Sequence, residues 1–369
     1  MNRPLTTEAQ VEADRLMTIC NACRYCEGLC AVFPAMEMRR TFAQGDLNYL
    51  ANLCHQCGAC YPDCQYAPPH QFDVNVPAAM AKLRHETYAT YAWPRALSGV
   101  FRRNGLFVAL TAAVSVAVFV IVFVAVQDPT VLFERHGGDF YRLMPHEAMV
   151  ALFGVAFLYA IVALVMSLRM YWRDINAGGP RAGVLAFLQA MRDACELRYL
   201  HGGGGGCTSE GDEPSSARRI FHHFTFYGFL FCFASTSVAT IDHYFFNYRA
   251  PYPYLSAPVL LGLIGGLGLL LGPLGLLILS QKRPAILTDP NGRGMSEAFI
   301  WMLFAVSLTG LLLLFLRPTA VMGMLLAVHL GFVLALFLTL PYGKFVHGLY
   351  RFLALTKYAA ERRQGTFVE

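Results

Sequence analysis

From Leu106 onward the chain repeats the feature that most limits its fold. Apolar runs of near-membrane length recur at 106–126, 148–168, 220–241, 256–280, 298–316 and 321–340. Each approaches the ~20 residues that a helix needs to cross ~30 Å of hydrocarbon. Composition supports that reading. Of 369 residues, 56 % are hydrophobic and only 14 % are charged, against the ~25 % charge typical of a soluble globular surface. Intrinsic disorder and a secreted disulfide scaffold are excluded. The net charge of +5 forms no basic stripe, so nucleic acid is not an expected partner.

Residues 1–105 are polar, Cys-rich and free of any membrane-length run, and no signal peptide is expected. The expected fold is all-α: a polytopic membrane helix bundle of about six spans over 106–345. An N-terminal module over 1–105 precedes it and a cytoplasmic tail over 346–369 follows. Lys and Arg divide 25 to 4 between the two sets of loops, which puts both termini inside. The expected location is the bacterial inner membrane. The fourth run carries Gly262, Gly265, Gly266, Gly268, Gly272 and Gly275 around Pro273, a composition suited to close helix packing.

The 169–219 loop holds Gly202–Gly206, then Cys207, Glu210, Asp212, Glu213 and Pro214. It reads either as a flexible hinge or as backbone lying close to a cofactor or partner.

The most specific motif is doubled. Cys20, Cys23, Cys26 and Cys30 repeat the spacing of Cys54, Cys57, Cys60 and Cys64. Three closely spaced thiolates suit an iron–sulfur cube, and in two-cluster proteins of this spacing the fourth ligand belongs to the other motif. One [4Fe–4S] cluster is therefore assigned Cys20, Cys23, Cys26 and Cys64, and a second Cys54, Cys57, Cys60 and Cys30. Disulfides are disfavoured in a cytoplasmic segment, and a zinc ribbon leaves four cysteines without a role. Ala31 and Gln65 stand where a proline usually follows the fourth cysteine. The spacer through Met36, Phe42, Leu47 and Leu50 has helical periodicity, with Asp46 as a candidate N-cap. The module is expected to be mostly helical and ferredoxin-like. Cys195, Cys207 and Cys232 read as packing residues.

Ionisable side chains in a membrane span are functional candidates by default. His222, His223 and His243 bracket the third span, and His329 and His347 the sixth. His329 and His347 are 18 apart, about 27 Å and five whole turns, so they share one face. Antiparallel spans then bring His222 or His223 to His347 at the inner end, and His243 to His329 nearer the outer one. Paired neutral imidazoles on facing helices suit haem b, here one or two haems. His146 has no obvious partner. Arg218, Arg219 and Lys344 are candidates to neutralise haem propionates, or are ordinary inside charge.

Both cysteine motifs together with RRIFHHFTFYGF (218–229), APYPY (250–254) and LPYGKFVHGLYR (340–351) resemble the tricarballylate-utilisation protein B family, also called CitB-like. The resemblance covers nearly the whole chain. It implies an iron–sulfur and haem membrane protein that reoxidises the reduced flavin of an FAD-dependent tricarballylate dehydrogenase, the enzyme that forms aconitate. The stretch from His329 to His347 is also similar to the gamma subunit of respiratory nitrate reductase, a dihaem cytochrome b. That likeness is clear at those two histidines and weaker on the third span.

Read from the residues alone, the chain is an electron wire. It has no nucleophile triad, Walker loop or dinucleotide fingerprint, so oxidation of an organic substrate falls to a partner. A redox chain ending in a membrane most economically delivers its electrons to quinone. The runner-up is the reverse direction, a quinol-oxidising subunit feeding a cytoplasmic reductase of the heterodisulfide-reductase-like kind. A cluster-regulated transporter is a distant third, because residues 298–340 carry little charge. Oligomeric state is open.

Overall fold

The computed structural model describes residues 5–208 and 213–365, with Pro129 described by its backbone alone. Glu210 and Asp212 of the Gly-rich loop lie outside the described residues. Among the described residues there are thirteen α-helices and no strand.

Four helices build the N-terminal module: α1 (Glu8–Cys23), α2 (Val32–Glu37), α3 (Gln44–Leu53) and α4 (Val76–Thr90). Thr7 starts α1 through a reciprocal capping box with Gln10. Arg24, at φ 56°, ends it in the left-handed region. That sharp exit swings the chain back and leaves the first three cysteines around one turn. The expected N-cap role of Asp46 is corrected. Ala43 occupies the N-cap, and Asp46 sits one turn inside, accepting the Ala43 amide at 3.2 Å while Arg39 holds it at 2.7 Å. The ion pair fixes the carboxylate at a distance from which it still reaches back to the helix start.

The bundle follows as α5 (Asn104–Val126), a short α6 (Pro129–Leu132) and α7 (His146–Ile175). A connecting α8 (Val184–Cys195) leads to α9 (Ala217–Phe245), α10 (Ala257–Lys282), α11 (Pro290–Leu316) and α12 (Met322–Thr339). Six of these, α5, α7, α9, α10, α11 and α12, are long and apolar enough to cross a membrane. Helix α12 lies among α5, α7 and α11, whereas α9 packs chiefly on α10. Glycine makes that last contact possible: a Cβ on Gly272 would stand 2.4 Å from Thr225 Oγ1, and one on Gly228 2.9 Å from the Leu269 amide nitrogen. Small residues thus bring the two backbones together, as the fourth apolar run leads one to expect.

The module is not a bead on a string. Helix α7 has 30 residues, about 45 Å, and its last turns leave the bundle to bury Tyr171 and Ile175 in the module core. Residues 346–364, read from sequence as part of a tail, form α13 (Val346–Gln364), which buries Tyr350, Ala354, Leu355 and Tyr358 in that same core. Tyr171 and Tyr350 stack at 4.6 Å, with Tyr91 edge-on to Tyr171 at 5.3 Å.

A closed charge quartet fastens α13. Arg39 pairs with Asp46 and Glu361, and Lys357 lies 3.6 Å from both acids. Two positive and two negative groups cancel, so none is a lone buried charge.

Candidate functional site: two cysteine cavities and a histidine junction

The doubled motif folds into two separate cavities. One, of about 280 Å³, is lined by Cys20, Cys23, Cys26 and Cys64, with Phe33 and Tyr66 as apolar wall. The other, about 20 Å³, is lined by Cys54, Cys57, Cys60 and Cys30. In each, three cysteines of one motif face the fourth of the other. No three His, Cys, Asp or Glu side chains among the described residues converge as ligands of a single metal ion. The thiols instead ring two spaces, the roomier one at Cys20, Cys23, Cys26 and Cys64. Burial pushes Cys20 up to about 12 and Cys26 to about 11, and lifts Cys30 and Cys60 well above the ordinary thiol value. Such thiols are poor anions unless a cation faces them, which is what iron supplies. The donor set therefore fits the clusters.

The Gly-rich loop closes over the second cavity. A Cβ on Gly202 would meet Ala59 Cβ at 2.8 Å, and at φ 51° the position favours glycine in any case. The Thr208 amide donates to the Cys57 carbonyl at 3.0 Å. Of the two readings of this loop, close approach to the cysteine site is the one observed. Cys207, read from sequence as packing, is 1 % exposed and packs beside Cys57. Its thiol hydrogen bond brings Cys57 below the ordinary thiol value against the cost of burial, helped by the Ala59 amide and Arg218. The other two behave as ordinary residues: Cys232 packs on Gly265, and the Cys195 carbonyl accepts from Tyr227 at 3.0 Å.

The second cavity abuts the bundle through a basic joint, of which sequence reasoning singled out Arg218 and Lys344 but missed Arg84 and Arg351. Arg84 and Arg351 both donate to the Cys54 carbonyl at 2.6 Å, and Arg218 donates to the Gln56 carbonyl at 2.6 Å and that of His55 at 3.2 Å. Arg351 is one turn beyond His347 on α13, so the carbonyl of one cysteine and the imidazole share a rigid element. Lys344 lies nearby, over the Tyr88 ring at 5.9 Å. Burial, with Arg84, Arg351 and Arg218 around it, pushes Lys344 well below the ordinary lysine range. A further signal for this joint is His55, placed inside the cysteine motif. It is 8 % exposed, and burial with Arg351, His222 and Arg218 nearby drives it well below the usual histidine range.

The structure selects His222 over His223 at this end. The His222 and His347 rings lie 6.2 Å apart and tilted by 68°. That separation has room for one metal bonded at about 2 Å to each ring. His347 Nδ1 donates to the Lys344 carbonyl, which leaves Nε2 as the lone-pair nitrogen. Burial beside Lys344 and Arg351 drives His347 well below the usual histidine range, so the ring is neutral, the form that binds metal. The pair's spacing fits an axial haem set. His223 faces away, beside Tyr227 at 5.8 Å. Arg219 donates to the Glu196 carbonyl and takes no part here, whereas Arg218 and Lys344 stand at the junction.

The other end departs from expectation. His243 stacks flat on His146, rings 4.0 Å apart and 5° from parallel, with Tyr141 and Tyr244 around them. His329 meets Thr309 on α11 at 3.0 Å instead, over Gly310, where a Cβ would crowd its ring at 3.0 Å. The expected His243–His329 pair is not among the ring contacts of the described residues, and His146 has the partner it seemed to lack. The reason is the packing of α9 on α10, which carries the far end of α9 toward the start of α7.

Comparison with known proteins agrees with this architecture. Residues 99–366 match the family model described as citrate utilization protein B, and residues 13–90 match the model of its Fer4-like domain. A citrate utilization protein B of Escherichia coli is 49 % identical over 362 residues, covering 98 % of this chain and 95 % of that protein. No solved structure matches.

Proposed function

The chain belongs to the citrate utilization protein B family, and from that premise we propose that it carries electrons in citrate or tricarballylate utilisation. Its electron donor is the reduced flavin of a partner FAD-dependent dehydrogenase, and its acceptor is membrane quinone. The Fer4-like module supplies two [4Fe–4S] clusters, held by Cys20, Cys23, Cys26 and Cys64 and by Cys54, Cys57, Cys60 and Cys30. One haem b is held by His222 and His347. When bound, these groups accept and release single electrons, so a two-electron flavin can be drained in two steps. The module faces the cytoplasm of a bacterium, and the bundle lies in its inner membrane.

The observation that supports this reading best is the joint at Cys54. Arg351 holds the Cys54 carbonyl from the same helix that presents His347, and His222 stands 6.2 Å across from it. Arg84 and His55 at this joint are buried, and Arg84, Arg218 and Arg351 each hydrogen-bond to the backbone of Cys54 or Gln56. His329 and His243 lie apart from this joint and are not assigned to an iron.

An absorption spectrum of anaerobically purified full-length protein, before and after dithionite, tests the reading. A haem b band that sharpens on reduction, at about one haem per chain, is the expected result. A spectrum with cluster absorption alone would remove the haem and return His222 and His347 to structural roles.

A further inference from the structure

A cavity of about 150 Å³ opens where the module meets the bundle. Its wall includes Gln56, Arg84, His85, Tyr88, Asp289 and Lys344. We propose that this cavity binds the head group of a membrane quinone and that the His85–Asp289 pair donates the protons for its reduction. The proposal rests on the electron-transfer reading above and adds to it a place and a proton source.

Size is the first argument. A cavity of ~150 Å³ accommodates a single aromatic ring. Position is the second. Ser280 from the last turn of α10 and Ile300 from the first half of α11 line the cavity toward the bundle. Ile286, in the connector between those helices, is 51 % exposed. An isoprenoid tail thus leaves between two span ends at the height of the lipid interface.

Electron access is the third argument. Gln56 lines both this cavity and the second cysteine cavity. Its amide donates to Cys54 Sγ at 3.3 Å, and its side chain accepts from Arg84 at 3.0 Å. One residue therefore separates the cluster ligand from the ring site.

Proton chemistry is the fourth. His85 Nδ1 faces Asp289 Oδ2 at 3.2 Å, and His85 Nε2 faces the Phe101 carbonyl at 3.2 Å. Both partners are acceptors. A neutral imidazole donates through only one nitrogen, so both contacts are satisfied only when the pair carries one further proton. The pair is largely buried, its side chains 13 % and 7 % exposed. Tyr88 adds a buried hydroxyl beside Arg84. Together with Lys344 it offers a donor to a quinone carbonyl.

The step balances. The quinone gains two electrons, supplied one at a time from the partner's reduced flavin by way of the Cys54 side of the wall. It also gains two protons, and both carbonyl oxygens become hydroxyls. The His85–Asp289 pair gives each proton in turn and is recharged from water between them.

The test uses full-length holoprotein, reduced by dithionite and mixed anaerobically with decylubiquinone. Asp289→Asn keeps an oxygen that caps α11 but loses the carboxylate. Reoxidation is expected to slow about 10²-fold, within the range of general acid catalysis, with iron and haem content unchanged. Ser280→Trp fills the cavity and should abolish labelling of the 280–300 segment by an azidoquinone. Wild-type rates in Asp289→Asn overturn the proton donor, and photolabel placed elsewhere overturns the site, while either leaves the electron-transfer reading standing. Wild-type protein that decylubiquinone does not reoxidise at all overturns that reading and this proposal together.

Discussion

The two ends of the membrane bundle each bring two histidines together, and they do so in opposite ways. At the module end His222 and His347 stand 6.2 Å apart at a steep angle, enclosed by Arg84, Arg218, Arg351 and Lys344. At the far end His146 and His243 lie flat on each other at 4.0 Å. The first pair leaves a metal's width between rings whose free nitrogens can converge. The second fills that width with the rings themselves, and stacked imidazoles direct their nitrogens in parallel. Proximity of two histidines is therefore not enough. The two pairs differ in the gap, the tilt and a further bond, from His347 Nδ1 to the Lys344 carbonyl, which the far-end rings lack among the described residues.

The sharpest way to break this contrast is to remove one ligand at the module end. His347→Ala is expected to abolish the reduced haem b band while about eight irons per chain, two four-iron clusters, stay bound. Iron analysis beside the spectrum reads both. Full haem retention in this variant would make the two ends equivalent.

Next in size is the wiring of the module. Cys64→Ser should disturb the cluster of Cys20, Cys23 and Cys26, across the cavity, rather than that of Cys54, Cys57 and Cys60, its neighbours in sequence. Electron paramagnetic resonance of the reduced variant distinguishes the two signals. Loss confined to the neighbour's signal would reject the crossed arrangement.

A third variant tests whether the module end owes its rigidity to α13. Glu361→Ala leaves Arg39 and Lys357 facing only Asp46, and breaking such a buried set costs about 3–5 kcal/mol. The expected outcome is a lowered midpoint for loss of cluster absorbance on heating, since α13 carries both this quartet and His347. An unchanged midpoint would mean that α13 docks through its apolar face alone.

The smallest effect is expected at the far end. His243→Ala should leave haem content, thermal midpoint and quinone reduction at wild-type values, because its ring packs only on His146 and surface tyrosines. A drop in haem per chain on this substitution would restore a far-side haem and erase the difference between the ends.

Much of this was legible from residue spacing because the information is local. Cysteines three apart must share a turn, and twenty apolar residues must cross a bilayer or be buried. The glycines from Gly262 to Gly275 announced a close helix contact without naming α9 as the partner. The far-end pairing was misread for a physical reason. Helical rise sets the position of His243 and His329 along their own helices. Azimuth and neighbour choice come from packing, however, and the glycine contact with α10 turns α9 so that His243 meets α7. Part of the basic joint was hidden likewise: Arg84 and Arg351 lie more than 260 residues apart and look like ordinary surface charge until they meet at the Cys54 carbonyl.

By itself the sequence determined the class of the molecule, since hydropathy and cysteine spacing act over a few turns of chain and need no partner. It determined a six-span bundle, two sets of four thiols and a shortlist of histidines. Only the tertiary structure decided which histidines form a gap rather than a stack, that residues 346–364 belong to the module core, and that Gln56 separates a cysteine cavity from a ring-sized one. Those outcomes depend on helix rotation and long-range contact. Side-chain volume and glycine placement settle them only when all the helices pack at once.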